Sequence, residues 1–426
     1  MAREMKDSGI EWLGEIPKEW NIAPSKRFAK IQTGNTPSKV GETLFYADEG
    51  TLWIKPDNLG TGFPITYTTE YLTPEGCNVA RVMPPNTVYV CCIGSLGKVG
   101  YSLVECCCNQ QINALVYNDR MYWKFGYYLT IAQESRYWLY GNGNVLQIIN
   151  TTNQSNIECV VPSIREQKNI SIYLDRMCVE LDNINKKTRV SIEEYKKLKQ
   201  SVITQAVTKG IRGGREMKDS RSTWFGQIPS DWKMRKIKYI FKIQKDIAGE
   251  EGHTVLSITQ KGIKPKDLSK NEGQLAENYS NYQLVHIGDF AMNHMDLLTG
   301  WVDVSKYEGV TSPDYRVFGL NDKDNYCSQY YLYLMQMCYT NRIFYGLGQV
   351  VSGLGRWRLQ ADKFLNFSIT VPSYEEQKEI ANYLDQKCSA IDDLIARKEQ
   401  YLYEIENYKK SLIYEYVTGK KEVPQE

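Results

Sequence analysis

Histidine is scarce in this chain and net charge is almost absent. Only His253, His286 and His294 occur, none at the HExxH spacing of a zinc helix, so they read as surface or core residues and not as a metal or acid–base centre. A formal charge of +2 over 426 residues excludes a global basic field, so any nucleic-acid contact must come from local clusters. No run reaches the roughly 18 uninterrupted apolar residues of a membrane span, and the opening MAREMKDSG mixes both signs of charge with no signal-length apolar run behind it. The expectation is a cytoplasmic protein with no membrane partner.

Catalytic motifs are missing too. There is no GxxxxGK[ST] phosphate loop, Gly94-Ser95-Leu96-Gly97 is not a GxSxG elbow, and the glycine pairs at 141/143, 346/348 and 353/355 lack GxGxxG spacing. Pro56-Asp57 and Pro313-Asp314 have no ExK partner close behind, which excludes a common nuclease pattern. The eleven cysteines cluster as Cys91-Cys92 and Cys106-Cys107-Cys108, which suits neither a disulfide framework nor a CxxC zinc site. Buried, reduced thiols in strands are expected, with no catalytic residue, no metal and no cofactor on this chain. An unfamiliar enzyme site would require Cys106–Cys108 to be accessible.

What is present is a duplication. Trp12, Gly14, Ile16, Pro17 and Trp20 return as Trp224, Gly226, Ile228, Pro229 and Trp232, each 212 residues later, behind a repeated REMKDS. A second echo, VPSIREQK at 161–168 and VPSYEEQK at 371–378, runs on through Tyr173-Leu174-Asp175 and Tyr383-Leu384-Asp385 to Val207-Thr208 and Val417-Thr418. The stretches between, 34–160 and 246–370, align poorly. Such order is conserved-variable-conserved, twice.

Each second echo opens with an S-x-x-E capping box, Ser163 with Glu166 and Ser373 with Glu376. Apolar residues then recur in heptads: Leu174, Leu181, Tyr195 and Val202 in the first, Leu384, Ile391, Ile405 and Leu412 in the second, with polar breaks at Thr188 and Lys398. Two coiled-coil helices of about 65 to 70 Å are predicted, packing on each other; the alternative is that each docks only on its own domain. Lys209-Gly210-Ile211-Arg212-Gly213-Gly214 ends the first. The variable segments are mixed α/β, with strands at 87–93 and 99–104 and helices near 122–139 and 329–344. The fold class is α+β, with the division 1–160, 161–212, 213–370 and 371–426.

Candidate nucleic-acid contacts follow from residue chemistry and loop position. A basic run with interleaved Tyr239 and Phe241 contains Lys236 and Lys238, and Lys261 and Lys264 follow; it suits a phosphate track or a solvated face. YGLGQVVSGLGRWRL at 345–359 sets Gln349, Arg356, Trp357 and Arg358 among glycines: Arg suits guanine and Gln adenine, while a hairpin with Trp357 in the core is the plain structural reading. YGNGNVLQ at 140–147 offers Asn142, Asn144 and Gln147, types that also make ordinary turns. GNTPSK at 34–39 and IGSLGK at 93–98 end in Lys39 and Lys98, either phosphate-holding loops or turns.

The frame W-[LF]-G-x-I-P-x-[DE]-W and the closing V-P-S-x-x-E-Q-K, each written twice in order, resemble the specificity subunit of type I restriction-modification systems over essentially the whole chain. The resemblance implies two target-recognition domains, an antiparallel pair of helices and an internal pseudo-twofold repeat. It implies a bipartite, asymmetric double-stranded DNA target with one domain per half-site. Two DNA methyltransferase subunits and restriction/translocase subunits are the implied partners, and S-adenosylmethionine, ATP and Mg belong to them. A coiled-coil scaffold that binds polypeptides is the other reading.

Overall fold

The computed structural model describes residues 3–38, 42–142, 147–267, 278–351 and 356–424. In both copies the Trp frame folds alike: Glu15–Pro17 pairs antiparallel with Met5–Asp7, and Gln227–Pro229 with Met217–Asp219. Gly14 (φ +58°) and Gly226 (φ +56°) make the left-handed turn before each strand, where any side chain would be strained. Trp20 and Trp232 are thereby buried. Each indole N–H donates to the first turn of a long helix, Trp20 to Glu166 Oε2 and Trp232 to Glu376 Oε2, both at 3.0 Å. Arg3 pairs with Glu166 at 2.7 Å and Arg215 with Glu376, and each guanidinium lies over the corresponding Trp ring.

The predicted capping box is therefore only half realised. Ser163 and Ser373 hydroxyls accept from the Glu166 and Glu376 N–H groups at 3.3 Å, but the glutamate carboxylates turn to Trp and Arg instead of back to the cap. A charge-assisted guanidinium contact outweighs a neutral backbone donor. The next residue repeats the logic: Gln167 accepts from Tyr122 N–H at 2.7 Å and donates to Pro162 O at 2.9 Å, as Gln377 does with Cys327 at 2.8 Å and Pro372 at 3.1 Å.

The long helices are Ile164–Lys209 and Tyr374–Val417. The chain forms two compact units, Met1–Arg189 with Glu399–Glu426, and Val190–Lys398, so each helix contributes to both. In the first unit Ile170, Leu174, Cys178 and Leu181 share a core with Ile405, Leu412, Ile413 and Tyr416. Lys409 pairs with Asp182 at 2.6 Å and Asn185 donates to Glu406 at 2.8 Å. In the second unit Ala206 and Val207 pack with Ile380, Leu384 and Cys388, and Lys199 pairs with Asp392 at 2.7 Å. Partner numbers fall along one helix as they rise along the other, so the pairing is antiparallel. The polar breaks are accommodated: Thr188 is buried, and the Lys398 ammonium stands 5.7 Å from the Tyr195 ring centre.

The variable segments fold on one plan despite their divergence. In the first unit four antiparallel strands run Ala29–Thr33, Ile112–Tyr117, Thr87–Cys91, Val99–Ser102 across the sheet; in the second the order is Phe241–Gln244, Arg316–Leu320, Phe290–Met292, Val302–Val304. Helix Trp123–Ala132 buries Phe125, Tyr127, Tyr128 and Leu129 in the first core, and Ser328–Thr340 supplies most of the buried tyrosines and leucines of the second. The units differ in their additions: the first has a second sheet through Cys106–Cys108 and Thr51–Ile54, the second a hairpin, Leu256–Thr259 with Gly262–Pro265.

The cysteines are free thiols. Cys91, Cys106–Cys108 and Cys159 lie in strands as expected, but Cys178, Cys338 and Cys388 are helical, and Cys77 and Cys327 are only half-buried. Among the described residues no helix is long and apolar enough to cross a membrane.

Candidate nucleic-acid interface

The central sheet of each unit ends in a loop cluster. In the first unit the Gly94–Gly97 turn leaves strand Thr87–Cys91, and Gly94 N–H donates to Gln147 O at 3.3 Å. Asn142 and Ile148 exchange backbone bonds at 2.8 and 2.9 Å as an antiparallel bridge. Asn142 and Gln147 are thus gathered in one cluster with the Gly94 turn, whereas Lys98, exposed at the end of that turn, lays its aliphatic stem over Gly60. Gly97 is required here, since a Cβ would come within 2.8 Å of Glu134 Cγ at a φ of +81°. Beneath the cluster Ile149 N–H donates to Cys92 O at 3.0 Å, while Asn113 Nδ2 donates to Gln154 Oε1 at 2.7 Å and to Ile149 O at 3.3 Å.

The second unit builds the same corner from other residues. Gln349–Val351 pairs with Arg356–Arg358 as a hairpin, and Trp357 packs on Tyr345 with ring centres 4.6 Å apart. Gln360 Nε2 donates to Gln349 at 2.9 Å. Leu359 N–H donates to His294 O at 2.9 Å, and Arg316 Nη2 donates to Leu359 O at 2.8 Å. His294 therefore stands where Cys92 does, and Arg316 where Asn113 does. The two line a cleft of about 760 Å³ with Gln244, Lys245, Gln283, Tyr315, Arg358 and Gln360. Burial first, then the charges of Arg316 and Arg358, push the His294 imidazole down to about 3, so the ring is neutral at physiological pH. Burial likewise pulls the Arg316 guanidinium down to about 10, with Arg358 adding to the effect, and leaves it charged.

The other candidates do not converge on these clusters. Lys236 lines a separate cleft with Met234, Arg235, Tyr239 and Ser368. Lys238 is exposed in the turn Ile237–Tyr239, and Lys261 and Lys264 are exposed on the hairpin Leu256–Thr259/Gly262–Pro265. The Gly34 loop lies hard against the Cys106–Cys108 strand: a Cβ at Gly34 would meet Cys108 O at 2.1 Å, Asn35 N–H donates to Cys108 O at 3.0 Å, and the Asn35 amide donates to Val79 O at 2.8 Å. Lys39 and Asn144 lie outside the described residues, and Arg356 is placed only as a strand residue.

Sequence reading missed His294 and Arg316. The only signal was a charge at the head of an apolar strand, Arg316-Val317-Phe318, and a histidine between methionines, Met292-Asn293-His294-Met295. Burial pushes the thiols of Cys92, Cys107 and Cys159 up to about 12, which keeps them protonated and poorly nucleophilic. Among the described residues no group of three or more His, Cys, Asp or Glu could hold a metal ion.

Known proteins match this arrangement. The family model for the type I restriction modification DNA specificity domain matches residues 17–194 and again 229–406. The type I restriction enzyme MjaVIII specificity subunit of Methanocaldococcus jannaschii is 24% identical over 422 residues, spanning 95% of this chain and 93% of its own. The HindI specificity subunit of Haemophilus influenzae is 30% identical over 179 residues, 39% of this chain and 38% of its own. A chain solved to explain complex assembly and conformational transition of the type I R-M system superposes with a TM-score of 0.69 at 13% identity, covering 95% of this chain and 99% of that one. The HsdS subunit from Thermoanaerobacter tengcongensis gives 0.50 at 13% identity, covering 95% and 98%. At that identity the structural likeness speaks for the fold alone.

Proposed function

The chain belongs to the type I restriction modification DNA specificity family, and from that premise we propose that it is the non-catalytic subunit that selects the target of a cytoplasmic type I restriction-modification complex. Residues 1–160 read one half of a split, asymmetric double-stranded DNA site and residues 213–370 the other. The helical segments 161–212 and 371–426 set the number of base pairs between the halves and receive two methyltransferase subunits, with restriction subunits joining them. S-adenosylmethionine, ATP and Mg are used by those partners.

The observation that carries this reading is a matched scaffold holding unmatched loops. Trp20–Glu166–Arg3 and Trp232–Glu376–Arg215 are built alike, whereas the corner above each sheet carries Asn142 and Gln147 in one unit, with Lys98 at the end of the adjoining turn, and Gln349, Trp357 and Arg358 in the other. A scaffold repeated inside one chain, with its loops changed, is what reading two different sequences with one geometry requires. Lys236, Lys238, Lys261 and Lys264 are assigned to phosphate contacts that position the domain, and Lys39, Asn144 and Arg356 complete the proposed set. No feature of the fold favours a polypeptide-binding scaffold over this reading.

Methylome sequencing of a host carrying the complex tests it. The expected result is a split, adenine-methylated motif, and exchange of residues 34–160 for another segment should change one half only. A continuous motif, or a change in both halves, would refute it.

A further inference from the structure

Two of the nitrogen-bearing side chains in the second unit's cleft are almost completely buried, Arg316 at 6% and His294 at 5% exposure, and both line its wall. Arg316 uses one Nη2 bond on Leu359 O, its face lies 5.0 Å from the Phe364 ring centre, and among the described residues its Nη1 has no hydrogen-bond partner. His294 Nδ1 has none either. Arg358 stands exposed on the same cleft, and among the described residues lining it there is no Asp or Glu. A guanidinium buried beside another cation with no carboxylate is held at a cost, and a cost of that kind is characteristic of a site completed by a ligand. The first unit offers the contrast: at the matching position Asn113 is fully engaged by Gln154 and Ile149.

Resting on the DNA-reading function above, we propose that Arg316, with His294 and Arg358, forms an acceptor-binding pocket particular to the second unit, which takes an electronegative edge of the DNA. The two sources of that chemistry are the O6/N7 edge of a guanine and the non-bridging oxygens of a backbone phosphate; a guanidinium fork fits either. Gln349 and Gln360, bonded to each other at the hairpin, sit beside the pocket to contact the neighbouring base.

The test uses the full chain in its methylating complex, comparing wild type with Arg316→Gln and Arg358→Gln. The wild-type motif is defined first, and residues 34–160 are exchanged to show which half belongs to the second unit. Binding to the motif duplex should then weaken by about 5- to 150-fold, the range of one bidentate contact. If a guanine is bound, the loss falls on duplexes carrying it, and methylation spreads to other bases at one position of that half. If a phosphate is bound, affinity drops equally for all sequences and the salt dependence becomes shallower. Unchanged motif and affinity in both variants overturn the pocket while leaving the DNA-reading function standing; a wild type without a split motif overturns both. Should Arg316→Gln fail to fold, Arg358→Gln, at an exposed position, decides alone.

Discussion

Below the loops, the first unit places Cys92 and Asn113 where the second places His294 and Arg316. Both pairs serve one backbone corner: the residue after the bridge or hairpin donates to Cys92 O or His294 O, and its carbonyl receives Asn113 or Arg316. In the first unit both N–H groups of the Asn113 amide donate locally, to Ile149 O and Gln154 Oε1, so the corner is structural. In the second a longer, charged side chain makes the same carbonyl bond and has donor capacity left over. The difference teaches that a corner can be kept for folding and changed for recognition by one substitution, because the carbonyl needs only one N–H.

The scaffold half of the comparison is open to the strongest test. Trp20→Ala and Trp232→Ala should each cost about 3 to 5 kcal/mol, the range for removing a large buried aromatic, and chemical denaturation of the full chain should show similar losses from the two. A large inequality would mean that the two frames are not equivalent supports.

The carboxylates should separate the copies. Glu376 is almost wholly buried, with its side chain 2% exposed against 27% for Glu166. Glu376→Gln leaves Arg215 short of a buried counter-charge and should cost about 3 kcal/mol, whereas Glu166→Gln should cost about 1 kcal/mol. Equal losses by the same denaturation measurement would contradict the burial difference.

The smallest effect concerns pH. The His294 ring is held down to about 3 in the fold, against 6.5 for an ordinary imidazole. The unfolded chain therefore binds a proton below pH 6.5 that the folded chain refuses, and the stability associated with the neutral ring is present above 6.5 and lost as pH falls toward 3. His294→Gln should flatten the stability profile between pH 6.5 and 5.5 by about 1 kcal/mol. Cys92→Ala, at the matching corner of the first unit, should leave that slope untouched.

Much of this was legible in the chain. The heptads of Leu174, Leu181, Ile405 and Leu412 announced the helices, and their burial against one another follows from the 3.5-residue repeat. The capping boxes located the helix starts, although the carboxylates of Glu166 and Glu376 found stronger partners that no local pattern reveals. The common sheet of the two variable segments was hidden, since a strand constrains only alternation and burial, which many unrelated residues satisfy. Cysteines in helices escaped for a similar reason: a small apolar side chain fits either element.

The sequence by itself determined the duplication, the two long helices and a hairpin around Gln349 and Arg358, because these depend on local period, turn chemistry and repetition. Only the tertiary structure decided that Trp20 and Trp232 answer to Glu166 and Glu376, and that His294 and Arg316 meet at one cleft. Those contacts join residues up to 146 positions apart, and closure over such distances is settled by packing, which no short window of sequence records.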